Sequence, residues 1–403
     1  MDTKTDYLII GAGIIGLALG RELKMRFPAA SITILEKEPD VAYHSSGRNS
    51  GVLHAGFYYS ADSLKAKFTR DGNLQMKEFC RAHNLRLNEN KKVVVTRNES
   101  ELEALHELDR RGKKNGVDVR IISEAELKEI EPNARTFKEA LFSPNTATVD
   151  PVEVNMAVKN ELLGLGANIC FGEGFEKRIS GNTISTTKGR KIEAGKLINA
   201  AGLYADKIAR GFGYCQDFTI IPFKGIYLKY TKNDKPIKVN IYPVPNLKNP
   251  FLGVHFTVTV DNIIKIGPTS IPAFWRENYQ GMANFKGSEM ADILGWESKL
   301  FLTNAFGFRS LAFEEMRKYN KSFFVNLAAE LVYHIDKSGF NQWSKPGLRA
   351  QLMNIHTMEL VQDFLVEGDD KSVHVLNAVS PAFTSSFPFA KWVIDNHVIR
   401  QES

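Results

Sequence analysis

The sequence predicts an α/β chain, α+β overall, in which a parallel sheet is interrupted by a separate antiparallel-sheet domain. Three observations carry this. Tyr7-Leu8-Ile9-Ile10 is a continuous apolar run ending in a glycine-rich turn, the pattern of a strand buried on both faces. Strand signatures return at Asn168–Phe171, Lys196–Asn199 and Val373–Leu376. From about Phe223 to Val260, aromatic and β-branched residues with prolines at the bends read as an antiparallel sheet of different character.

Taken in order, a helix is expected from Ile14 to Phe27 and a second parallel strand from Ser31 to Leu35, closing a βαβ unit with Glu36 at its carboxyl end. Asn98 with Glu101, and Ser123 with Glu126, place a capping residue three positions before a carboxylate, so helices start there. Val117–Ile122 between them reads as a strand. Asp150-Pro151 followed by Glu153 is a further helix start, ended by Gly164 and Gly166. A closing helix is expected from Phe387 to Val398, preceded by Thr384-Ser385-Ser386. The resulting partition gives residues 1–90, 145–222 and 340–403 to the first domain, and 91–144 and 223–339 to the second.

With 403 residues, 43% hydrophobic and 24% charged, the chain suits a folded two-domain protein and excludes wholesale disorder. A net charge of +6 admits acidic partners, but the basic cluster Arg110, Arg111, Lys113 and Lys114 is short and reads as a solvated surface. No nucleic-acid motif is present. Cys80, Cys170 and Cys215 lack metal or dithiol spacing and read as reduced thiols, with no metal site expected. The apolar stretch Tyr7–Leu19 is too short for a bilayer and is broken by glycines. A cytoplasmic location is therefore expected.

Gly11-Ala12-Gly13-Ile14-Ile15-Gly16 follows a strand and opens a helix, as a dinucleotide fingerprint requires. Gly11 permits the tight turn, Gly13 the approach of a diphosphate, and Gly16 close helix packing. Glu36, with Lys37 beside it, stands where a ribose hydroxyl pair is accepted. This motif serves NAD and FAD alike. A second glycine- and hydroxyl-rich segment, Ser45 to Gly56, contains Ser46, Arg48, Asn49, Ser50, Gly51 and His54. A flavin, held along its whole length, has use for such a loop. Ala200-Ala201-Gly202 and the Pro381, Thr384, Ser385 region complete the candidate cofactor set, the latter as a helix terminus suited to the negative charge that develops on a reduced ring.

The run from Ser46 to Tyr59, with the dinucleotide motif, resembles the D-amino-acid-oxidase-like flavoenzymes and more narrowly the L-2-hydroxyglutarate oxidase/dehydrogenase family. Pro222-Phe223-Lys224-Gly225, Tyr242-Pro243-Val244-Pro245, Pro250 through Thr257, Gly267-Pro268, Ala273-Phe274, Gly347 through Gln351 and Asn377 through Ser386 agree in order. The resemblance implies a glutathione-reductase-like FAD-binding Rossmann domain with a discontinuous antiparallel-sheet substrate domain. It also implies oxidation of L-2-hydroxyglutarate to 2-oxoglutarate, with a quinone pool or oxygen as acceptor. Lys224 stands where the family is expected to favour arginine, and Thr269-Ser270 where it is expected to carry an asparagine-containing pair.

Oxidising a secondary alcohol needs a base for the hydroxyl proton, and His255 and His54 are the candidates, His255 favoured as base and His54 for positioning. His44 is a weaker candidate, for a cofactor contact. A 2-hydroxy dicarboxylate calls for cationic donors, for which Arg48, Lys224 and Arg349 qualify. Tyr58, Tyr59 and Tyr242 offer hydroxyls or aromatic walls. An FAD-dependent amino-acid oxidase and a non-catalytic flavin-binding module are the alternative readings. Leu300–Phe324 mixes aromatics with Arg309, Arg317, Lys318 and Lys321, which suits either core packing or a peripheral membrane contact on the cytoplasmic face.

Overall fold

A computed structural model of the chain describes residues 3–245 and 253–399; of the quoted motifs, Pro250, Phe251 and Leu252 lie outside them. Strand β1 (Thr3–Ile10), helix α1 (Ile14–Arg26) and strand β2 (Ile32–Glu36) form the predicted crossover. The strands run parallel, with Ile9 opposite Ile34. Leu8 and Ile9 point to opposite faces, and both are fully buried. Parallel strands continue on either side, Asn168–Phe171 beside β2, Lys191–Asn199 beside β1, and Ser372–Asn377 beyond that. Phe175–Ser180, Thr183–Thr186 and Leu365–Gly368 add antiparallel edges.

The second large sheet runs, in spatial order, Phe340–Trp343, Leu228–Tyr230, Ile264–Gly267, His255–Val258, Asn240–Pro243, Lys92–Val95, Glu139–Ser143, Arg120–Ser123. Two distant chain segments thus build one sheet, joined where Lys92–Val95 lies parallel to Asn240–Pro243. Strand Phe340–Trp343, assigned by the sequence partition to the nucleotide domain, belongs here because Phe340 is fully buried in this sheet's core. A third sheet of Ile271–Pro272, Phe218–Gly225 and Gly347–Asn354 joins the two. Its central strand runs straight through the partition drawn between 222 and 223, paired along its whole length with Gly347–Asn354.

Capping follows the sequence. Ser123 and Glu126 form a reciprocal capping box, and the Asp150 side chain accepts from Val152 and Glu153 amides. The expected strand at Val117–Ile122 is observed at Arg120–Ser123. The closing helix starts earlier than expected, at Ala382, so Thr384, Ser385 and Ser386 are inside it and buried. Pro388 sits in the helix interior and lacks the N–H that the Thr384 carbonyl would otherwise receive. That carbonyl lies against Gly72, where an added Cβ would come within 2.1 Å of it.

The third sheet is locked to the nucleotide domain by one ion pair. Asp206, on the helix Ala205–Arg210, and Arg276 are both fully buried and bonded bidentately at 2.6 and 2.7 Å. Asp206 also accepts from the Ile220 amide, and Arg276 donates to the Leu203 carbonyl. Asp206→Ala should destabilise the protein by about 3–5 kcal/mol, because it strands a buried guanidinium. Chemical denaturation of wild type and variant measures this, and a loss below about 1 kcal/mol would contradict the lock.

Candidate functional site

A cavity of about 900 Å³ opens at the carboxyl edge of the parallel sheet. Its floor is the glycine turn. Gly11 has φ +101°, and a Cβ there would lie 2.7 Å from the Ala200 carbonyl oxygen. A Cβ on Gly16 would lie 1.9 Å from the Gly11 carbonyl oxygen, so α1 packs directly on the turn and Gly16 itself is not on the wall. Gly13, Ile14 and Ile15 line the cavity at the start of α1, whose first turn carries no acidic residue. The positive helix end therefore faces open space, as a diphosphate site requires.

Glu36 lines the cavity at the end of β2, and its carboxylate accepts from the Ala12 amide at 2.9 Å and the Glu38 amide at 3.0 Å. Lys37 pairs with Glu38 at 2.6 Å and Glu277 at 2.7 Å. His44 bridges Glu38 and the Tyr279 hydroxyl, each at 2.8 Å. Glu38, His44 and Glu277 come within metal-binding range of one another, with the Lys37 ammonium paired to both carboxylates. Ala200, Ala201 and Gly202 line the same cavity, as do Pro381 and Thr384 at the start of the closing helix.

The loop after β2 is tied together by its own polar groups. The Ser46 hydroxyl accepts from the Ile14 amide at 2.9 Å. Asn49 donates to the Ser46 carbonyl at 2.8 Å and accepts from the Gly51 amide at 2.8 Å, and Ser50 accepts from Val52. Ser46, Arg48, Asn49 and Ser50 all reach the wall. Arg48 spends its donors on the Tyr43 and Pro346 carbonyls and lies 4.3 Å over the Tyr279 ring. These contacts clamp the loop against the Gly347 strand and the Tyr279 ring. Gly51 is off the wall, required instead by φ +77° and by the Val149 carbonyl 2.3 Å from an added Cβ. Ser385 is likewise off it, buried beside the Thr69 hydroxyl at 3.3 Å.

The chemical candidates divide. His54 and Arg349 lie on the cavity wall; His255, Lys224 and Tyr242 do not. The His54 amide donates to the Thr384 hydroxyl at 3.2 Å, tying the loop to the closing helix. Arg349 donates to the Thr269 carbonyl at 3.1 Å and the Ser270 hydroxyl at 2.8 Å. Lys224 donates to Asn278 at 3.0 Å, and Thr269 donates to the Lys224 carbonyl. The residues that depart from the expected family pattern thus meet around one arginine.

His255 stacks on Tyr242 with ring centroids 3.6 Å apart, and its Nδ1 lies 2.8 Å from the Gly253 carbonyl. Facing a carbonyl, that nitrogen carries the proton, which leaves Nε2 as the acceptor. Burial, reinforced by Lys92, holds His54 well below the ordinary imidazole range, and burial brings His255 to about 3. Both are neutral at pH 7.

Sequence reasoning missed Tyr227, Glu277 and Tyr204 on the wall, and Tyr279 and Lys92 beside it. Tyr279 and Glu277 sit in a stretch without any motif. Lys92, in Lys91-Lys92-Val93-Val94-Val95, reads as the solvated start of a strand, yet it has no exposed surface.

The family model described as FAD dependent oxidoreductase matches residues 6–396. The chain is 38% identical to the L-2-hydroxyglutarate dehydrogenase of Indibacter alkaliphilus, over 94% of this chain and 95% of that one. It is 34% identical to the enzyme of the same name from Escherichia coli K12, over 96% and 92%, and 34% identical to the human mitochondrial one, over 97% and 88%. The fold matches that of L-alpha-glycerophosphate oxidase from Mycoplasma pneumoniae with FAD bound, at TM-score 0.75 and 21% identity, over 97% and 94% of the two chains. Glycine oxidase from Geobacillus kaustophilus gives TM-score 0.68 at 18% identity, over 98% and 94%. With a glycine turn no side chain would fit, a helix start free of acidic residues, a carboxylate at the second strand and a cavity of about 900 Å³, the chain belongs to the FAD dependent oxidoreductase family and takes FAD as its cofactor.

Proposed function

We propose that this enzyme oxidises L-2-hydroxyglutarate to 2-oxoglutarate and passes the electrons to a quinone or to oxygen. The observation that carries the reading is a guanidinium and an imidazole, Arg349 and His54, on one cavity wall of a chain similar over its length to L-2-hydroxyglutarate dehydrogenases. Arg349 keeps its charge at any physiological pH and, held on one side by Thr269 and Ser270, is oriented to receive a carboxylate. Lys224 adds positive charge near the same strand pair.

In this reading the imidazole pair takes the hydroxyl proton, His54 orienting the substrate from the wall and His255, in the layer beside it, offering Nε2 as the acceptor. An imidazole so depressed is a weak base in the free enzyme, and the two carboxylates of the substrate supply the negative charge that favours its protonation. The carbon-bound hydrogen leaves with its electron pair as the carbonyl forms. FAD, when bound, supplies the acceptor for that hydride at N5. Thr384, at the closing helix, aligns the His54 loop with the helix N-terminus.

We further infer that the enzyme works as a peripheral protein on the cytoplasmic face of a membrane, where a quinone is within reach. Among the described residues no helix is long and apolar enough to cross a bilayer. Phe301, Leu302, Phe306, Phe313, Met316 and Tyr319 are exposed, Leu302 by 74% and Phe313 by 62%, beside Arg309 and Arg317. That is the composition of an interfacial patch on an anionic surface.

Three measurements test these readings. Anaerobic addition of L-2-hydroxyglutarate should bleach the flavin rapidly, and the D enantiomer should not; bleaching by amino acids alone would remove the substrate assignment. Arg349→Met should raise KM for the substrate by about 10–100-fold, from the loss of a charged hydrogen-bond donor, with FAD content retained. An unchanged KM would take Arg349 out of the binding site. Leu302→Glu with Phe313→Glu should abolish co-sedimentation with phosphatidylglycerol vesicles, and wild-type protein that stays in the supernatant would end the membrane proposal.

A further inference from the structure

Lys92 opens the strand Lys92–Val95, opposite Asn240 in the register that places Val94 opposite Tyr242. Partnered residues of adjacent strands share a face and alternate positions repeat it, so Lys92 and Tyr242 look out from the same side of the sheet. The amine stands 4.0 Å from the Tyr242 ring centre, 5.3 Å from that of Tyr58 and 5.8 Å from that of Phe57. Tyr242 in turn stacks on His255. Lys92 is fully buried, and Nζ finds no hydrogen-bond partner among the described residues. Lysines ordinarily extend to bring the ammonium to water. This one ends against aromatic faces, the surface that receives a cation when no carboxylate is present.

We propose that Lys92 is a positioning residue of the active site, its amine fixing the Tyr242 ring against His255 and setting a positive charge beside the neutral imidazoles of His54 and His255. The groups that face this cluster come from three elements. His54, Phe57 and Tyr58 come from the loop after β2, Tyr242 from Asn240–Pro243 and His255 from the next strand. Arg349 also acts on His255, and Tyr59 and Tyr227 on Tyr242. Among the described residues no carboxylate acts on either imidazole, and the charges that do, Lys92 and Arg349, are positive. A like charge disfavours a second cation. Burial brings the amine itself down to about 7. It is therefore charged below neutrality, the range in which a histidine would otherwise take up a proton. Above neutrality it loses its charge, and the imidazoles need no help to stay neutral. Burial is the larger cause of the imidazoles' neutrality, and the Lys92 charge adds to it on the acid side.

The inference rests on the proposal that this imidazole pair serves alcohol oxidation, and the test separates the two. FAD-loaded enzyme is mixed anaerobically with L-2-hydroxyglutarate between pH 3 and 9, and the rate of flavin reduction is followed. In Lys92→Met the acidic limb of the profile should move up by about one pH unit, and Lys92→Arg should return it towards the wild-type position. A Met variant that keeps the native flavin spectrum and the wild-type limb overturns the role of Lys92. Wild-type enzyme that the substrate does not reduce at any pH overturns the substrate instead. Should Lys92→Met lose FAD, the histidine ring resonances of the wild-type holoenzyme decide. His54 and His255 should stay neutral below pH 5, and protonation of either near 6.5 overturns the inference.

Discussion

The structure depends on one close approach of backbone to backbone. The Cα of Gly16 presses on the Gly11 carbonyl, and Gly11 in turn lies against Ala200, so three chain segments meet with no side chain between them. This seats the first turn of α1 at the carboxyl edge of the sheet, with its amides directed into the cavity. Every other contribution to the cofactor site, from Glu36 to Pro381, is arranged around that fixed point.

Around it the fold handles buried charge in two ways. Where rigidity is needed, charges are paired with opposite charges. Asp206 and Arg276 bond bidentately with additional backbone partners, and Lys37 closes a network with Glu38 and Glu277. Where the chemistry is proposed, the Lys92 amine is left without a carboxylate among the described residues. Lys92 has only ring faces, and Nδ1 of His54 has no hydrogen-bond partner among the described residues. A chamber rich in positive charge and uncharged imidazole is complementary to a dianion, since the ligand supplies what the protein withholds.

The two domains are also less separable than their sheets suggest. The loop carrying His54 is held by Thr384 of the closing helix, and the strand carrying Arg349 belongs to the joining sheet. Residues from the beginning, middle and end of the chain therefore share one wall. A change at any of the three seams moves the others, because the backbone groups involved have no alternative partners in the interior.

The dinucleotide crossover, its glycines, Glu36 and the capped helices at Ser123 and Asp150 were legible in the sequence, because each is a local pattern whose physics acts within a few residues. The polar character of the loop from Ser46 to His54, which lines the cavity, was legible for the same reason. The start of the closing helix was not, since Pro388 and the small hydroxyl residues look like a boundary until Gly72 is seen to receive the Thr384 carbonyl. Nor was the course of Phe218–Gly225 through an expected domain boundary, which only its pairing with Gly347–Asn354 decides. The division of the histidines and cations between the wall and the layer beside it, and the burial of Lys92, belong to tertiary structure alone. Sequence determines which side chains can carry charge; the packing of distant segments determines which of them meet a partner, a ring face or an open cavity.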